Sequence, residues 1–383
     1  MSEKSFPPRP HLDTLLVRAG AEIDPTTGAV APPIHLSTTF EHGPAGEEPF
    51  GFSYARVDNP TQQRLERALA EIEGGDRALV FGSGLAAAAA LLQSLEPGAH
   101  VLFGADTYHG CRDLLTHYLP RWGGSSEEVD LTDPTAVAGA LRPETRLIWA
   151  ESPTNPRLGI VDVRTLAEQA HQNDALLLVD NTFATPALQN PLALGADVVL
   201  HSTTKYLGGH SDVQGGALVL AAGGSLLDAL ADVRLTVGAV ASPFASWLVL
   251  RGLRSLSCRM ERHCSNAAAL VAALEHHPRV LGIDYPGRPA HPGHEVAARQ
   301  MSAFGGMVSL RVRGGRGAAV GVASRVRLFT NATSLGGVES LVEHRKSSEG
   351  PDSPTPDDLL RISVGLEHSD DLIADLRQAL DGD

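Results

Sequence analysis

Lysine is the residue that this sequence most clearly lacks. Only Lys4, Lys205 and Lys346 are lysines among the 31 basic residues that are Lys or Arg. A chain that prefers arginine keeps lysine chiefly where a primary amine is needed, because a guanidinium is a poor nucleophile that stays protonated. Lys4 lies near the N-terminus and Lys346 in a polar stretch, whereas Lys205 follows an apolar run. Lys205 is therefore the candidate reactive amine.

The sequence also has few cysteines, no long apolar run and no excess of positive charge, and each of these features disfavours a class of function. The three cysteines, Cys111, Cys258 and Cys264, form no CxxC pair, which predicts a reduced compartment. The longest apolar stretch, residues 85–92, is too short to span a bilayer. Residues 1–8 contain no hydrophobic signal core, so a cytoplasmic protein is expected. A net charge of −14 argues against nucleic acid or an anionic membrane as partner.

The 383 residues are enough for two domains with substantial cores. Residues 1–55, rich in Pro, Thr and Gly, are predicted to form an extended N-terminal arm. Residues 56–258 alternate short apolar runs with helical patterns, which predicts an α/β domain with a mainly parallel sheet covered by helices on both faces. Residues 259–383 are predicted to form a smaller α+β domain. The predicted strands are 78–81, 100–103, 147–150, 175–179, 198–200, 217–221, 307–312 and 360–364, and the predicted helices are 61–72, 85–95, 163–172, one long helix over 242–273, and 371–380.

A glycine-rich turn over residues 82–87 follows the first predicted strand and opens a helix. Small residues there expose backbone N–H groups and the positive end of the helix dipole to an anion. The segment, which contains Ser83, Gly84 and Leu85, also fits the dinucleotide pattern GxGxxA, with Asp106 about 20 residues further on. A nicotinamide-dependent oxidoreductase is therefore one possible interpretation.

Other polar residues follow predicted strands, where ligands collect in open α/β sheets. Asp180 could pair with a pyridinium nitrogen and keep it protonated, so that the ring acts as an electron sink. Tyr108 could stack on a ring, and the hydroxyls of Ser202 and Thr204 could serve a phosphate beside Lys205. A nicotinamide enzyme needs no lysine there, whereas a pyridoxal phosphate enzyme needs this whole set.

Across almost its whole length the chain resembles the cystathionine γ-lyase/γ-synthase family, the pyridoxal phosphate enzymes of cysteine and methionine metabolism. The resemblance consists of nine ordered blocks of residues. They are PIHLSTTF at 33–40, YAR at 54–56 with NPT at 59–61, SGLAA at 83–87, ESPTNP at 151–156, VDNTFATP at 179–186, HSTTKY at 201–206, RGLR at 251–254, SLGGVESL at 334–341 and LRISVG at 360–365.

The resemblance implies a fold type I architecture and a role for each matching residue. Lys205 would form the Schiff base with pyridoxal 5′-phosphate and carry protons, and Tyr108 would stack on the ring and share in catalysis. The cofactor-binding set would be Ser83, Gly84, Leu85, Tyr108, Asp180, Thr182, Ser202, Thr204 and Lys205, with Tyr54 and Arg56 reaching into the neighbouring subunit. The resemblance thus implies a homo-oligomer, with a dimer that shares its sites and, in the usual family state, a tetramer.

The resemblance further implies a small amino-acid substrate, held by Asn155, Ser334 and Arg361. The favoured activity is that of a carbon–sulfur lyase, which would cleave cystathionine, and also cysteine or homocysteine, by β- or γ-elimination. Cystathionine γ-synthase activity, the γ-replacement of an acylated homoserine with cysteine, is the alternative within the family.

Two departures from the family pattern affect specificity and the edge of the site. Thr333 stands where γ-synthases and several γ-lyases have glutamate, and an acid there would meet a distal ammonium of the substrate. We therefore expect Thr333 to tune substrate choice. The block after Tyr108, which carries Cys111, also departs from the family pattern. Asp113 occupies the position where the family has an arginine, and the arginine of this chain, Arg112, comes one residue earlier. The family role of that arginine is therefore not assigned to Arg112. No metal site is expected, because His291 and His294 lack a third ligand.

Overall fold

The computed structural model describes residues 10–351 and 353–382. Lys4 and the first nine residues of the predicted arm lie outside these ranges. Within the described residues no helix is both long enough and apolar enough to cross a membrane.

A large sheet forms the centre of the N-terminal part of the chain. Its strands, in chain order, are β1 (Arg77–Phe81), β2 (His100–Gly104), β3 (Ser125–Val129), β4 (Thr145–Glu151), β5 (Leu176–Asp180), β6 (Val198–His201) and β7 (Gly216–Leu220). In space they follow the order β1-β7-β6-β5-β4-β2-β3, and within the described residues β7 alone runs opposite to the other six strands. The predicted mainly parallel sheet is therefore confirmed.

Helices cover this sheet because their apolar residues recur on one face. In the helix Val163–Gln172 the buried residues are Val163, Leu166, Ala167 and Ala170, the spacing of a single helical stripe. Its start is fixed by the Asp162 side chain, which accepts a hydrogen bond from the Thr165 amide. In this part of the chain the helices are α1 (Leu12–Arg18), α2 (Pro60–Glu73), α3 (Gly84–Gln93), α4 (His109–Asp113), α5 (Pro134–Ala140), α6 (Val163–Gln172), α7 (Thr185–Leu188), α8 (Ser225–Val237) and α9 (Pro243–Leu253), with a π-helix Leu114–Tyr118 and 3₁₀ helices Leu119–Trp122 and Leu192–Leu194.

The C-terminal part has its own sheet and its own apolar core. Its strands are β8 (Val280–Asp284), β9 (Met307–Val312), β10 (Thr330–Asn331), β11 (Leu341–His344) and β12 (Leu359–Ser363), in the order β10-β11-β12-β9-β8. Its helices are α10 (Leu256–Leu274), α11 (His294–Gln300), α12 (Gly315–Arg325), α13 (Arg345–Glu349) and α14 (Ser369–Asp381). This arrangement is of the α+β type that the sequence predicts.

The prediction of one long helix over 242–273 is wrong, because α9 ends at Leu253 and α10 begins at Leu256. At the break the Gly252 carbonyl accepts a hydrogen bond from Arg259 Nη2 at 2.8 Å. A Cβ on Gly252 would lie 2.3 Å from the Leu207 carbonyl oxygen, so the helix turns where two backbone segments touch. The tertiary contact at the break thus overrides the continuous helical pattern.

Strand β3 and helix α1 are two of the elements that the sequence did not predict. Strand β3 has the polar sequence SSEEV and lies at the edge of the large sheet, so it carries no apolar alternation. Helix α1 lies inside the segment that was predicted to be an extended arm. It forms because Leu15 and Leu16 are buried in the main core.

Candidate active site

A cavity of about 410 Å³ opens where β1, β5 and β6 of the large sheet end. The carboxyl ends of these strands point the same way because β1 and β6 both run antiparallel to β7 and β5 runs parallel to β6. The cavity brings together every site residue predicted from the sequence except Tyr54 and Arg56. These lining residues are Ser83, Gly84, Leu85, Tyr108, Asn155, Asp180, Thr182, Ser202, Thr204, Lys205, Thr333, Ser334 and Arg361.

Lys205 reaches the cavity from the turn that follows β6. The turn is closed by a hydrogen bond from the Lys205 amide to the Ser202 carbonyl, and Lys205 Nζ donates to Ser334 Oγ at 2.7 Å. Burial lowers the pKa of Lys205 to about 8, with a smaller contribution from the nearby cation Arg361. A lowered pKa leaves an appreciable fraction of the amine unprotonated and nucleophilic near neutral pH.

The glycine-rich turn forms an anion cradle at the start of α3. Ser83 caps the helix, since its Oγ accepts a hydrogen bond from the Ala86 amide at 3.0 Å. The amides of Gly84 and Leu85 begin the helix and so have no intrahelical acceptor. A Cβ on Gly84 would lie 3.1 Å from the Ser202 Cβ, so a side chain here would crowd the turn that carries Ser202. The turn can thus present backbone N–H groups and the Ser202 hydroxyl to a phosphate.

Asp180 ends β5 and Tyr108 follows β2, so both lie at the carboxyl ends of strands that flank β4. Asp180 Oδ1 accepts a hydrogen bond from the Thr182 amide at 3.0 Å, and Thr182 Oγ1 in turn accepts one from the Ser202 amide. Burial raises the pKa of Asp180, while the hydrogen bonds from Thr182 lower it. A cationic pyridinium would favour the ionised carboxylate here. Burial also raises the pKa of Tyr108, so its phenol is neutral at physiological pH.

Another part of the cavity wall is built around Arg361. Its Nη1 donates to Asn155 Oδ1 at 3.1 Å, and its Nη2 donates to the Ser334 carbonyl at 2.9 Å and to Glu343 Oε2 at 2.6 Å. Burial lowers the pKa of Arg361 to about 10, which still leaves it cationic at pH 7. This fixed planar fork can bind a carboxylate. Thr333 beside it is exposed and lines the cavity.

Two further cavity residues with ionisable side chains, Glu151 and Arg345, were not singled out from the sequence. Glu151 ends β4, beside Asp180 in register, and its Oε2 accepts a hydrogen bond from the Tyr108 amide at 2.8 Å. Burial raises the pKa of Glu151 well above its usual value. The strand-end rule that indicated Asp180 would have found Glu151 too. Arg345 lines the cavity from α13, directly after a buried strand.

The departures after Tyr108 have distinct positions. Cys111 is buried and lines the cavity, and burial raises the pKa of its thiol well above its usual value, so the thiol is protonated. Arg112 instead pairs with Glu128, with 3.0 Å between Nη2 and Oε2. Its guanidinium therefore binds the edge strand β3. This position agrees with the decision not to give Arg112 the role of the family's arginine.

Tyr54 and Arg56 do not line the cavity of their own chain. Arg56 Nη1 donates to the Leu235 carbonyl at 3.0 Å, and its guanidinium carbon lies 5.6 Å from the centre of the Tyr54 ring. Tyr54 is 43% exposed. That the pair acts in a neighbouring subunit stays a prediction.

The large sheet, the buried lysine and the anion cradle define the chain as a fold type I pyridoxal phosphate enzyme. Comparison with known proteins gives the family: residues 13–381 match the Cys/Met metabolism PLP-dependent enzymes. The chain is 50% identical over 373 residues to a cystathionine γ-synthase of Mycobacterium tuberculosis, with 96% of each chain covered. It is 44% identical to a cystathionine β-lyase of Coxiella burnetii, covering 97% of this chain and 98% of that one. In structure it resembles a cystathionine γ-synthase from Xanthomonas oryzae pv. oryzae in complex with cystathionine, with a TM-score of 0.94, 40% identity, and coverage of 98% and 99%.

The chain therefore belongs to the pyridoxal phosphate enzymes of cysteine and methionine metabolism, and it is a carbon–sulfur lyase or synthase of trans-sulfuration. The nicotinamide alternative gives way to this assignment. The residues present fit the cofactor, because the cavity offers a buried amine with a lowered pKa, a glycine at a position where a Cβ would crowd Ser202, and a buried acid.

Proposed function

We propose that the protein is a carbon–sulfur lyase that cleaves cystathionine, and also cysteine or homocysteine, by γ- or β-elimination. The products are a thiol amino acid or sulfide, ammonia and a 2-oxo acid. The observation that carries the proposal is the position of Lys205, a buried amine 2.7 Å from Ser334 Oγ and in the same cavity as the carboxylate-binding fork of Arg361. A substrate held by its α-carboxylate would place its Cα proton near this amine.

The lining residues on the cofactor side have proposed roles. Bound through Lys205, pyridoxal phosphate supplies an electron sink that stabilises negative charge at the substrate Cα. Asp180 holds the proton on the pyridine nitrogen, and Tyr108 covers one face of the ring. The phosphate is held by the backbone of the glycine-rich turn and by the hydroxyls of Ser202 and Thr204. Ser83 and Thr182 support this cradle, through the helix cap and the Ser202 amide.

The substrate side is proposed to use Arg361, Asn155 and Ser334. Arg361 takes the α-carboxylate, while the Asn155 amide oxygen and the Ser334 carbonyl hold its guanidinium in place. The Ser334 hydroxyl accepts the Lys205 N–H and so orients the amine that removes the Cα proton. Thr333 offers a neutral hydroxyl at the cavity wall, which favours a broad substrate range rather than strict selection of a distal ammonium.

The proposed working unit is a cytoplasmic homo-oligomer whose minimum form is a dimer with shared sites. Tyr54 and Arg56 lie outside the cavity of their own chain, so their side chains are available to a neighbouring subunit's phosphate. Two such dimers would form a tetramer.

Cystathionine γ-synthase activity is the second candidate, favoured by the 50% identity to the mycobacterial γ-synthase. One assay separates the two: the purified enzyme is given cystathionine, cysteine, homocysteine, or O-succinylhomoserine with cysteine, and the products are identified. A lyase releases a 2-oxo acid when cystathionine is the single substrate supplied. Cystathionine formation from the acylated homoserine, without cleavage of cystathionine, would establish the synthase instead.

A further inference from the structure

A second guanidinium, that of Arg345, lines the same cavity as Arg361. Arg345 begins the short helix α13 directly after β11, and its side chain is only 6% exposed. Its Nη1 donates to Glu343 Oε2 at 3.1 Å and its Nη2 to Glu349 Oε1 at 2.5 Å. Both ion-pair partners of Arg345 are thus carboxylates, and one of them is also bound to Arg361.

The shared carboxylate is that of Glu343. Its Oε2 also accepts the hydrogen bond from Arg361 Nη2 at 2.6 Å, so a single oxygen bridges the two guanidiniums. Strand register fixes this geometry, because Glu343 on β11 lies directly opposite Arg361 on β12. The other oxygen, Oε1, is buried and has no hydrogen-bond partner among the described residues.

Arg345 limits the competition between Glu343 and the substrate for Arg361. A carboxylate next to Arg361 competes with the substrate's carboxylate for the same guanidinium. If Glu343 faced Arg361 alone, its unpartnered Oε1 could turn toward that guanidinium and make a bidentate ion pair. Arg345 holds Glu343 from the other side, and Arg345 is itself held by Glu349, whose Oε2 accepts hydrogen bonds from Ser353 and Thr355.

We propose that Arg345 is a positioning residue that restrains Glu343, so that Arg361 stays oriented and free to bind the α-carboxylate of the substrate. This inference rests on the proposed function, in which Arg361 is the carboxylate anchor. It predicts that the loss of Arg345 weakens the binding of every α-amino acid, whatever its distal group.

The test is a double-mutant cycle on the holoenzyme, with Arg345→Met, Glu343→Gln and the combination. The probe is L-norleucine, an amino acid with no leaving group, and its dissociation constant is read from the absorbance of the bound cofactor. Arg345→Met should raise this constant and the KM for cystathionine by about tenfold or more, with a smaller change in kcat. Adding Glu343→Gln should restore most of the lost affinity, because the competing charge is then gone.

Controls separate the failure of this inference from the failure of the proposed function. Arg377→Met removes an exposed arginine on α14 and should leave both constants unchanged. Arg361→Met should abolish norleucine binding; if it does not, the carboxylate assignment itself is wrong. If Arg345→Met does not fold, as judged by Tm, Arg345→Lys carries the test and should show a smaller rise that Glu343→Gln again reverses.

Three results would overturn the inference while leaving the anchor role of Arg361 intact. One is unchanged norleucine binding in the Arg345 variants. Another is additive losses from the Arg345 and Glu343 substitutions, which would indicate a purely structural role. The last is a loss confined to cystathionine, which would mean that Arg345 contacts the distal end of the substrate directly.

Discussion

Replacing Thr333 with glutamate is expected to shift substrate choice toward cystathionine. Thr333 is exposed and lines the cavity next to Ser334, whose hydroxyl binds Lys205 Nζ at 2.7 Å. A carboxylate at this position can meet the distal ammonium of cystathionine, which homocysteine lacks. A hydrogen bond to a charged group contributes about 1.5–3 kcal/mol, or roughly tenfold to a hundredfold in relative kcat/KM. Because the position is exposed and screened by solvent, the lower end of that range is expected.

The assay is kcat/KM for cystathionine and for homocysteine in the native enzyme, in Thr333→Glu and in Thr333→Gln. Glutamine has the size of glutamate without its charge, so only the glutamate variant should gain selectivity. The gain should also shrink as salt is added, because exposed charge pairs are screened. Equal effects of Thr333→Glu on both substrates, or the same gain from glutamine, would refute the reasoning.

Further predictions concern the cofactor side and the oligomer. In the cofactor-free protein burial lowers the pKa of Lys205 from 10.5 to about 8. Between these pH values the Lys205 amine is protonated in the unfolded chain but largely unprotonated in the folded protein, so stability rises with pH. The native protein should therefore gain stability over this window relative to Lys205→Met, measured as the free energy of unfolding; a constant difference would contradict it. Asp180→Asn should lower kcat about a hundredfold or more and change KM less, because the substituted amide cannot hold the pyridinium proton; an unchanged kcat would remove Asp180 from its role. Mixing the inactive variants Arg56→Ala and Lys205→Ala should restore activity, since some hybrid dimers contain one intact site; hybrids that form but stay inactive would show that Arg56 does not act in trans.

Much of the site could be predicted from the sequence, because the cavity is built at strand ends and the chemistry there is specific. The scarcity of lysine indicates Lys205 as the reactive amine, and the apolar run before Asp180 predicts a strand that ends in an acid. Both residues lie in the cavity. The same rule would have reached Glu151, which also ends a buried strand.

What the sequence could not show depends on contacts between distant segments. Arg345 follows a buried strand in a polar stretch, and its relation to Arg361 is set by the pairing of β11 with β12. The break between α9 and α10 depends on the approach of Gly252 to Leu207, which a local helical pattern does not contain. The edge strand β3 is polar because its residues are exposed or only half-buried, so its sequence resembles a loop.

The covalent attachment of the cofactor tests the central claim most directly. The purified holoenzyme is reduced with borohydride, digested, and searched by mass spectrometry for the pyridoxyl-modified residue. Lys4, Lys205 and Lys346 are the three lysines of this sequence, so the modified peptide distinguishes them directly. The account predicts modification of Lys205 and its disappearance in Lys205→Arg, since a guanidinium cannot form the linkage. Modification at Lys346 or Lys4, or a reducible cofactor that persists in Lys205→Arg, would contradict it.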